Sequence, residues 1–291
     1  MATGTFINYD HFAGLMEMTL PFALAGAFYQ FSIITGQDHQ KLEQPVTFRN
    51  REELSKLALW ILFGALFLVA LVFSESRMGL VAAILSALSM IALMLTSGGK
   101  RASAFLLLLA FLAPAISMIF WIGPEPAIAR FDKLIQQSAS VKDSRMAIWK
   151  DTLNLIGTHP WMGTGLGTFA VVYPSVQTAF PGQFVEHAHN DYLEFASECG
   201  IPATLILFGA IFYVVAQSVR GYRRSNSYFQ RAIALGCFGS MVAILLHSLT
   251  DFNLHIPANT LVFAVVSGVS YANSSVSAEI SRIAAPFAVY P

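Results

Sequence analysis

The sequence predicts an all-α protein, a polytopic transmembrane bundle of about seven helices with one long, mostly helical loop on one side of the bilayer. Composition is the first reason. The 291 residues are 55% hydrophobic and 12% charged, with a mean hydropathy of +0.59, whereas a soluble domain carries roughly 25% charged residues and hides its core behind a polar exterior. The second reason is length, because apolar stretches recur at the ~20 residues that a bilayer-crossing helix needs. The third is the sorting of basic residues to one side. Net charge is zero, so nothing suggests a nucleic-acid partner.

Seven stretches qualify as spans: 12–34, 57–73, 78–96, 102–121, 201–219, 229–250 and 257–273. Glu17 and Pro21 interrupt the first, which is tolerable where neighbouring helices cover the freed backbone. Ser74-Glu75-Ser76-Arg77 separates the second from the third and predicts a helical hairpin. The connections holding Lys41, Arg49, Arg51 and Lys56, then Lys100 and Arg101, then Arg220, Arg223 and Arg224 fall on one side when the spans alternate. That side is expected to be cytoplasmic. Three parts follow: a membrane bundle over 1–121, an outer segment over 122–200, and a second membrane bundle over 201–291. No charged region followed by a small-residue cleavage site opens the chain, so no removable signal peptide is expected. Cys199 and Cys237 are too few for a disulfide framework.

The 122–200 segment holds Trp149, Trp161, Phe169, Tyr173, Phe184 and Tyr192, enough to pack on its own, and long structured loops are usually functional. Asp143 or Ser144 is a suitable N-cap for a helix with Ala147, Ile148, Trp149, Leu153 and Ile156 on an apolar face, ended by Gly157-Thr158-His159-Pro160. Arg145 then lies in the first turn, where the helix dipole disfavours a cation. It reads either as part of an anion site or as a surface Arg paired with Asp143 or Glu186. Gly163-Thr164-Gly165-Leu166-Gly167-Thr168-Phe169 could approach a phosphate through its backbone. It lacks the lysine of a P-loop, and a compact turn packing against the membrane surface is the better reading.

His187-Ala188-His189-Asn190-Asp191-Tyr192-Leu193-Glu194 is the sharpest stretch. A short helix is expected to begin there and end at Gly200-Ile201-Pro202, with His189 or Asn190 as its cap. A neutral imidazole, which a helix N-terminus favours, is what a general base requires. The His-x-His pair could instead ligate metal, although no Cys or further His stands at zinc-like spacing within the segment. A plain polar cap is the third possibility. Arg77 stands at the outer end of a span, where Arg should be scarce, either for function or snorkelling beside Glu75. His247 and Asp251, at i, i+4 spacing, could bind metal or order the outer turn. Two arginines and a histidine on one membrane face suit a phosphate-bearing lipid substrate.

These residues resemble the O-antigen ligase and polymerase family of bacterial membrane glycosyltransferases. The likeness runs through Gly4-Thr5-Phe6-Ile7-Asn8 with His11-Phe12-Ala13-Gly14, Ser76-Arg77-x-Gly79, and Ser144-Arg145 with Ile148-Trp149. It continues through His159-Pro160 and the glycine-rich turn, His189-Asn190 followed after nine residues by Gly200, and Asp251-Phe252-Asn253 to Pro257-Ala258-Asn259. The histidine motif's second glycine is Ala203 here, and Asn8-Tyr9-Asp10-His11 is less basic than its counterpart. The resemblance implies transfer of a glycan from undecaprenyl pyrophosphate to a hydroxyl of lipid A-core, a growing glycan or a protein, without metal or cofactor. It implies an inner-membrane location with the 122–200 segment in the periplasm. It makes His189 the base and Arg77 and Arg145 the pyrophosphate ligands, with His187, Asn190 and Asp251 in support. Family members carry more N-terminal spans, so a truncated or split product is also expected. Two rival readings are a metal-dependent intramembrane hydrolase using His187, His189, His247 and Asp251, and a polysaccharide transporter or flippase, for which Glu17 and Pro21 supply the only broken, charged helix.

Overall fold

The structure is a computed structural model that describes residues 3–35, 46–97, 109, 117, 145–178, 180 and 182–284. Every regular element among the described residues is helical. In chain order they are α1 (Tyr9–Ile34), α2 (Val46–Ser74), α3 (Arg77–Thr96), α4 (145–158) and α5 (Phe169–Val172). A 3₁₀ turn (Tyr173–Ser175) continues α5, and then come α6 (Asp191–Arg224), α7 (Tyr228–His247), a second 3₁₀ turn (Asn253–His255) and α8 (Pro257–Ala284).

Five of the described helices are long and apolar enough to cross a bilayer: α1, Arg51–Ser74 of α2, α3, α6 and α7. The all-α polytopic architecture therefore stands, while the expected count of seven is not reached among the described residues. The expected fourth span, 102–121, lies outside them apart from residues 109 and 117. The seventh, 257–273, is helical within α8 but is not among the five. Asn259, Ser267, Ser270 and Asn273 lower its apolarity. Arg49, Arg51 and Lys56, expected in a connection, sit in the first turns of α2.

The chain divides into two compact units. The first takes in α1 to α3, residues 213–244 and residues from 261 onward. Its core joins Leu20, Leu24 and Phe28 of α1, Leu68 and Leu71 of α2, Ala83, Ala87, Met90 and Met94 of α3, and Leu235 of α7. Lipid is as apolar as leucine, so helices in it associate through close packing and interhelical hydrogen bonds rather than a hydrophobic drive. Ser86 shows the second device, its hydroxyl donating to the Gly239 carbonyl at 2.6 Å. The expected hairpin is present. Glu75 takes a left-handed φ of 63°, and Ser76 caps α3 by accepting the Gly79 N–H at 3.2 Å. Arg77 is thereby the first residue of α3.

The second unit holds 119–212 and 245–260. Its described part has a small apolar core of Ile148, Phe169, Tyr173 and Ala188, with the Phe169 and Tyr173 rings stacked at 5.0 Å. Near it lie buried acids and hydroxyls, Asp151, Asp191, Glu194, Glu198, Asp251, Thr152, Ser197 and Ser248.

Candidate functional site

The second unit is organised by a break in α6. Gly200 (φ 78°, ψ 163°) is not helical, so 191–199 and the apolar run after it are two helices across a kink. The expected end at Gly200 is thus a kink that the chain passes through. The kink frees the carbonyls of the last turn, and the glycine-rich loop satisfies them. Thr164 N–H donates to the Ser197 carbonyl at 2.9 Å, and Gly165 N–H to the Glu198 carbonyl at 2.8 Å. Phe169 N–H donates to Glu198 Oε1 at 3.0 Å. A Cβ on Gly200 would stand 2.4 Å from the Trp161 carbonyl oxygen, so only glycine meets both the dihedral and the contact. The loop is a compact turn, as the sequence predicts in preference to a phosphate cradle, and its N–H groups serve protein acceptors at the end of the 191–199 helix.

At the other end of 191–199, Asn190 is the cap, its Oδ1 accepting the Leu193 N–H at 3.1 Å. Its Nδ2 donates to the Leu249 carbonyl at 2.9 Å. His189 therefore lies one residue before the cap, in the left-handed region at φ 51°. A non-glycine residue holds that conformation only where its surroundings fix it, and here they do. Glu194, 1% exposed, reaches back across the helix start. Its Oε2 accepts the Ala188 N–H at 2.8 Å and its Oε1 stands 2.6 Å from His187 Nδ1. Trp149 Nε1 donates to the carbonyls of Ala188 and His189, at 3.0 and 3.3 Å.

Thus clamped, His189 places Nδ1 3.2 Å from Asp251 Oδ1. Asp251 is 1% exposed and also accepts the Phe252 N–H at 3.0 Å. Burial pushes the Asp251 carboxyl upward, but the His189 hydrogen bond and the charges of His247, His189 and Arg145 outweigh it and bring it down to about 2. An ionised carboxylate only accepts, so Nδ1 of His189 carries the shared proton. In the neutral imidazole Nε2 then holds the lone pair. His247 Nε2 lies 4.0 Å from Asp251 Oδ2, and the His247 carbonyl accepts the Thr250 and Asp251 N–H groups at the end of α7.

Arg145 is the first described residue of α4. Its Nη1 donates to the Thr250 carbonyl at 2.7 Å. Arg145 and His189 line one cavity of about 530 Å³, together with His187 and Phe252. Phe252 packs its face on His187 (3.8 Å, 13°) and meets His189 edge-on (5.1 Å). The structure thus gathers Arg145, His187, His189, Asn190 and Asp251 in the second unit, while Arg77 belongs to the first. His187 and His189 turn Nδ1 to different carboxylates, Glu194 and Asp251.

A second histidine–carboxylate group escaped the sequence reading. His255 Nδ1 lies 2.7 Å from Asp191 Oδ1, and its Nε2 is 3.8 Å from both Glu194 Oε1 and Glu198 Oε2. Burial disfavours the imidazolium, yet the hydrogen bond to Asp191 and the nearby carboxylates of Glu198 and Glu194 raise His255 to about 10. Asp191 Oδ2 also accepts the Ser248 hydroxyl (2.6 Å) and the Leu254 N–H (3.0 Å). The available signal was spacing: Asp191, Glu194 and Glu198 recur at i, i+3 and i+7, one stripe of a helix. Asp151, fully buried, was missed too. It accepts the Tyr173 hydroxyl (3.0 Å) and both the N–H (2.8 Å) and hydroxyl (2.6 Å) of Thr178.

Membrane-length helices and a cavity that gathers a clamped histidine and an arginine define a multi-pass membrane protein with a polar site. The family model described as O-antigen ligase matches residues 62–208, just over half of the chain, and the chain belongs to that family. It is therefore a multi-pass membrane protein of the ligase and polymerase type of glycosyltransferase. A search of curated proteins gives no match.

Proposed function

We propose that this chain moves a glycan from undecaprenyl pyrophosphate to an acceptor hydroxyl at the periplasmic face of the inner membrane, with His189 as general base. The membrane parts are 1–121 and 201–291, and 122–200 carries the site. The observation that bears most weight is the Nδ1 contact of His189 to ionised Asp251 beside Arg145 in one cavity. In this reading Nε2 of His189 takes the proton of the acceptor hydroxyl. The freed oxygen forms a bond to the anomeric carbon as the bond from that carbon to the pyrophosphate oxygen breaks. The electron pair leaves with the pyrophosphate, whose added negative charge Arg145 and Arg77 receive. His187 and Asn190 hold the backbone on either side of the base. Lipid A-core, a growing glycan and a protein hydroxyl all fit this step, and each supplies the acceptor atom in the same way.

The test uses the reconstituted protein, lipid-linked glycan and a metal chelator. Transfer is expected to survive exhaustive chelation and to vanish in His189→Ala, Arg145→Ala and Arg77→Ala proteins that still insert. Normal transfer by well-inserted His189→Ala protein would remove the base assignment. Loss of wild-type activity on chelation would favour the hydrolase chemistry, and glycan movement without a new glycosidic bond would favour a transporter.

A further inference from the structure

One wall of the cavity is left over once the base and the arginine are accounted for. Phe184 is 77% exposed and Phe180 37% exposed, both line the cavity, and neither ring meets another among the described residues. A single exposed aromatic is ordinary on a protein surface. These two stand on and beside a turn whose backbone is fixed by hydrogen bonds. Phe180 (φ 52°) and Gly182 (φ 80°) bend the chain through left-handed conformations. Gln183 N–H donates to the Phe180 carbonyl at 3.0 Å. Gln177 Nε2 donates to the carbonyls of Phe180 and Gln183, at 2.9 and 3.0 Å. The bonds fix the backbone at Phe180 and Gln183, the turn that leads directly into Phe184.

Gln183 and Glu186 also line the cavity beside these rings. That mixture selects its occupant. A prenyl chain would strip water from the amide and the carboxylate and offer them no partner. A second phosphate would meet Glu186 as a like charge. A pyranose ring offers a C–H face to an aromatic ring and hydroxyls to an amide and a carboxylate. The volume, about 530 Å³, falls among small-molecule sites of roughly 300–1,000 Å³.

We infer that Phe184, with Phe180, Gln183 and Glu186, is the subsite for the sugar ring of the acceptor, holding it so that a hydroxyl meets His189. The inference rests on His189 being the base, and it deepens that reading by fixing the acceptor as a carbohydrate.

The binding test avoids catalysis. The full chain in nanodiscs is probed with methyl β-glucopyranoside by saturation-transfer NMR on irradiating aromatic protons, with farnesol as the apolar probe. Transfer to the sugar C–H protons is expected in wild-type and in His189→Ala protein. It should fall about three- to tenfold in Phe184→Ala, the scale of one stacking contact, and return in Phe184→Trp. An equal signal in Phe184→Ala, no sugar signal in wild type, or displacement of the sugar by farnesol would each overturn the subsite. In the transfer assay with a sugar acceptor, Phe184→Ala should raise the acceptor KM by about the same three- to tenfold factor and leave kcat and the donor KM alone. A raised donor KM would assign the wall to the donor and overturn the proposal. Failure of the base reading shows separately, as normal turnover by His189→Ala.

Discussion

The second unit holds the same chemical pair twice. His189 with Asp251 opens on a cavity, the imidazole about one-third exposed and 3.2 Å from its carboxylate. His255 with Asp191 is closed in, at 2.7 Å, with two further carboxylates 3.8 Å away. Surrounding charge separates their uses. Three acids around His255 hold it as an imidazolium up to about 10, so it neither gives nor takes protons near neutrality. Asp251 has three cationic or ionisable neighbours, which keep it an acceptor down to about 2. One pair is closed within the polypeptide, and the other presents to the cavity the nitrogen proposed as the base. The environment, more than the residue type, separates a structural histidine from a reactive one.

Exchanging the two histidines breaks the comparison most sharply. His189→Gln is expected to lower the transfer rate by roughly 10²–10⁴-fold with little change in melting temperature. His255→Gln is expected to do the reverse, destabilising the protein on the order of 3 kcal/mol by leaving Asp191 buried without its ion-pair partner. Steady-state transfer rates beside thermal melts of detergent-purified protein read both. Matching stability losses in the two variants would erase the distinction. Arg145→Ala comes next, at roughly 10²–10³-fold in kcat, because the guanidinium stabilises charge only as it develops. Arg145→Lys should recover little of it, since an ammonium cannot form a planar fork. A fall in acceptor affinity with kcat intact would place Arg145 on the wrong substrate. Asp251→Asn should be milder, about 10- to 100-fold, the range for partners that orient a functional imidazole. The amide oxygen can still accept from Nδ1, so the tautomer survives while the charge is lost.

How much of this the sequence discloses depends on whether the signal is local. Hydropathy and period reveal α1, α3 and the hairpin at Ser74–Arg77, because bilayer length and a serine cap are written within a few residues. The helix that carries Arg145 and a cap at His189 or Asn190 are legible for the same reason, and the structure gives the cap to Asn190. Asp251 was readable as a helix-end acid, yet its pairing with His189 joins positions 62 residues apart, and nothing in the spacing encodes that. The role of Glu194 was hidden because a carboxylate inside a helix usually faces water, whereas this one folds back over the helix start to bind Ala188 and His187. The glycine-rich stretch was legible as a compact turn, but only the partners of its N–H groups show that it closes the broken turn before Gly200.

The smallest expected effect is the pH dependence of stability, and it tests whether the two pairs titrate as separately as their surroundings imply. His255 is raised to about 10 in the folded protein, above the ~6.5 of an unfolded-chain histidine. The folded state therefore binds this proton more tightly. The stabilisation from the ion pair is complete below about 6.5 and is lost as pH rises toward about 10. Asp251 is depressed to about 2, so its contribution has the opposite sign. It is present above the ordinary carboxylate value of ~3.9 and is lost only as pH falls through about 2. Melting temperatures measured from pH 6 to 10 should consequently decline in wild type and in Asp251→Asn, and decline less in His255→Gln. The difference between variants cancels the tyrosines and lysines that titrate over the same range. An alkaline decline of equal slope in His255→Gln would mean that the buried imidazole is not held by its three acids. The contrast between a locked pair and a poised one would then rest on geometry alone.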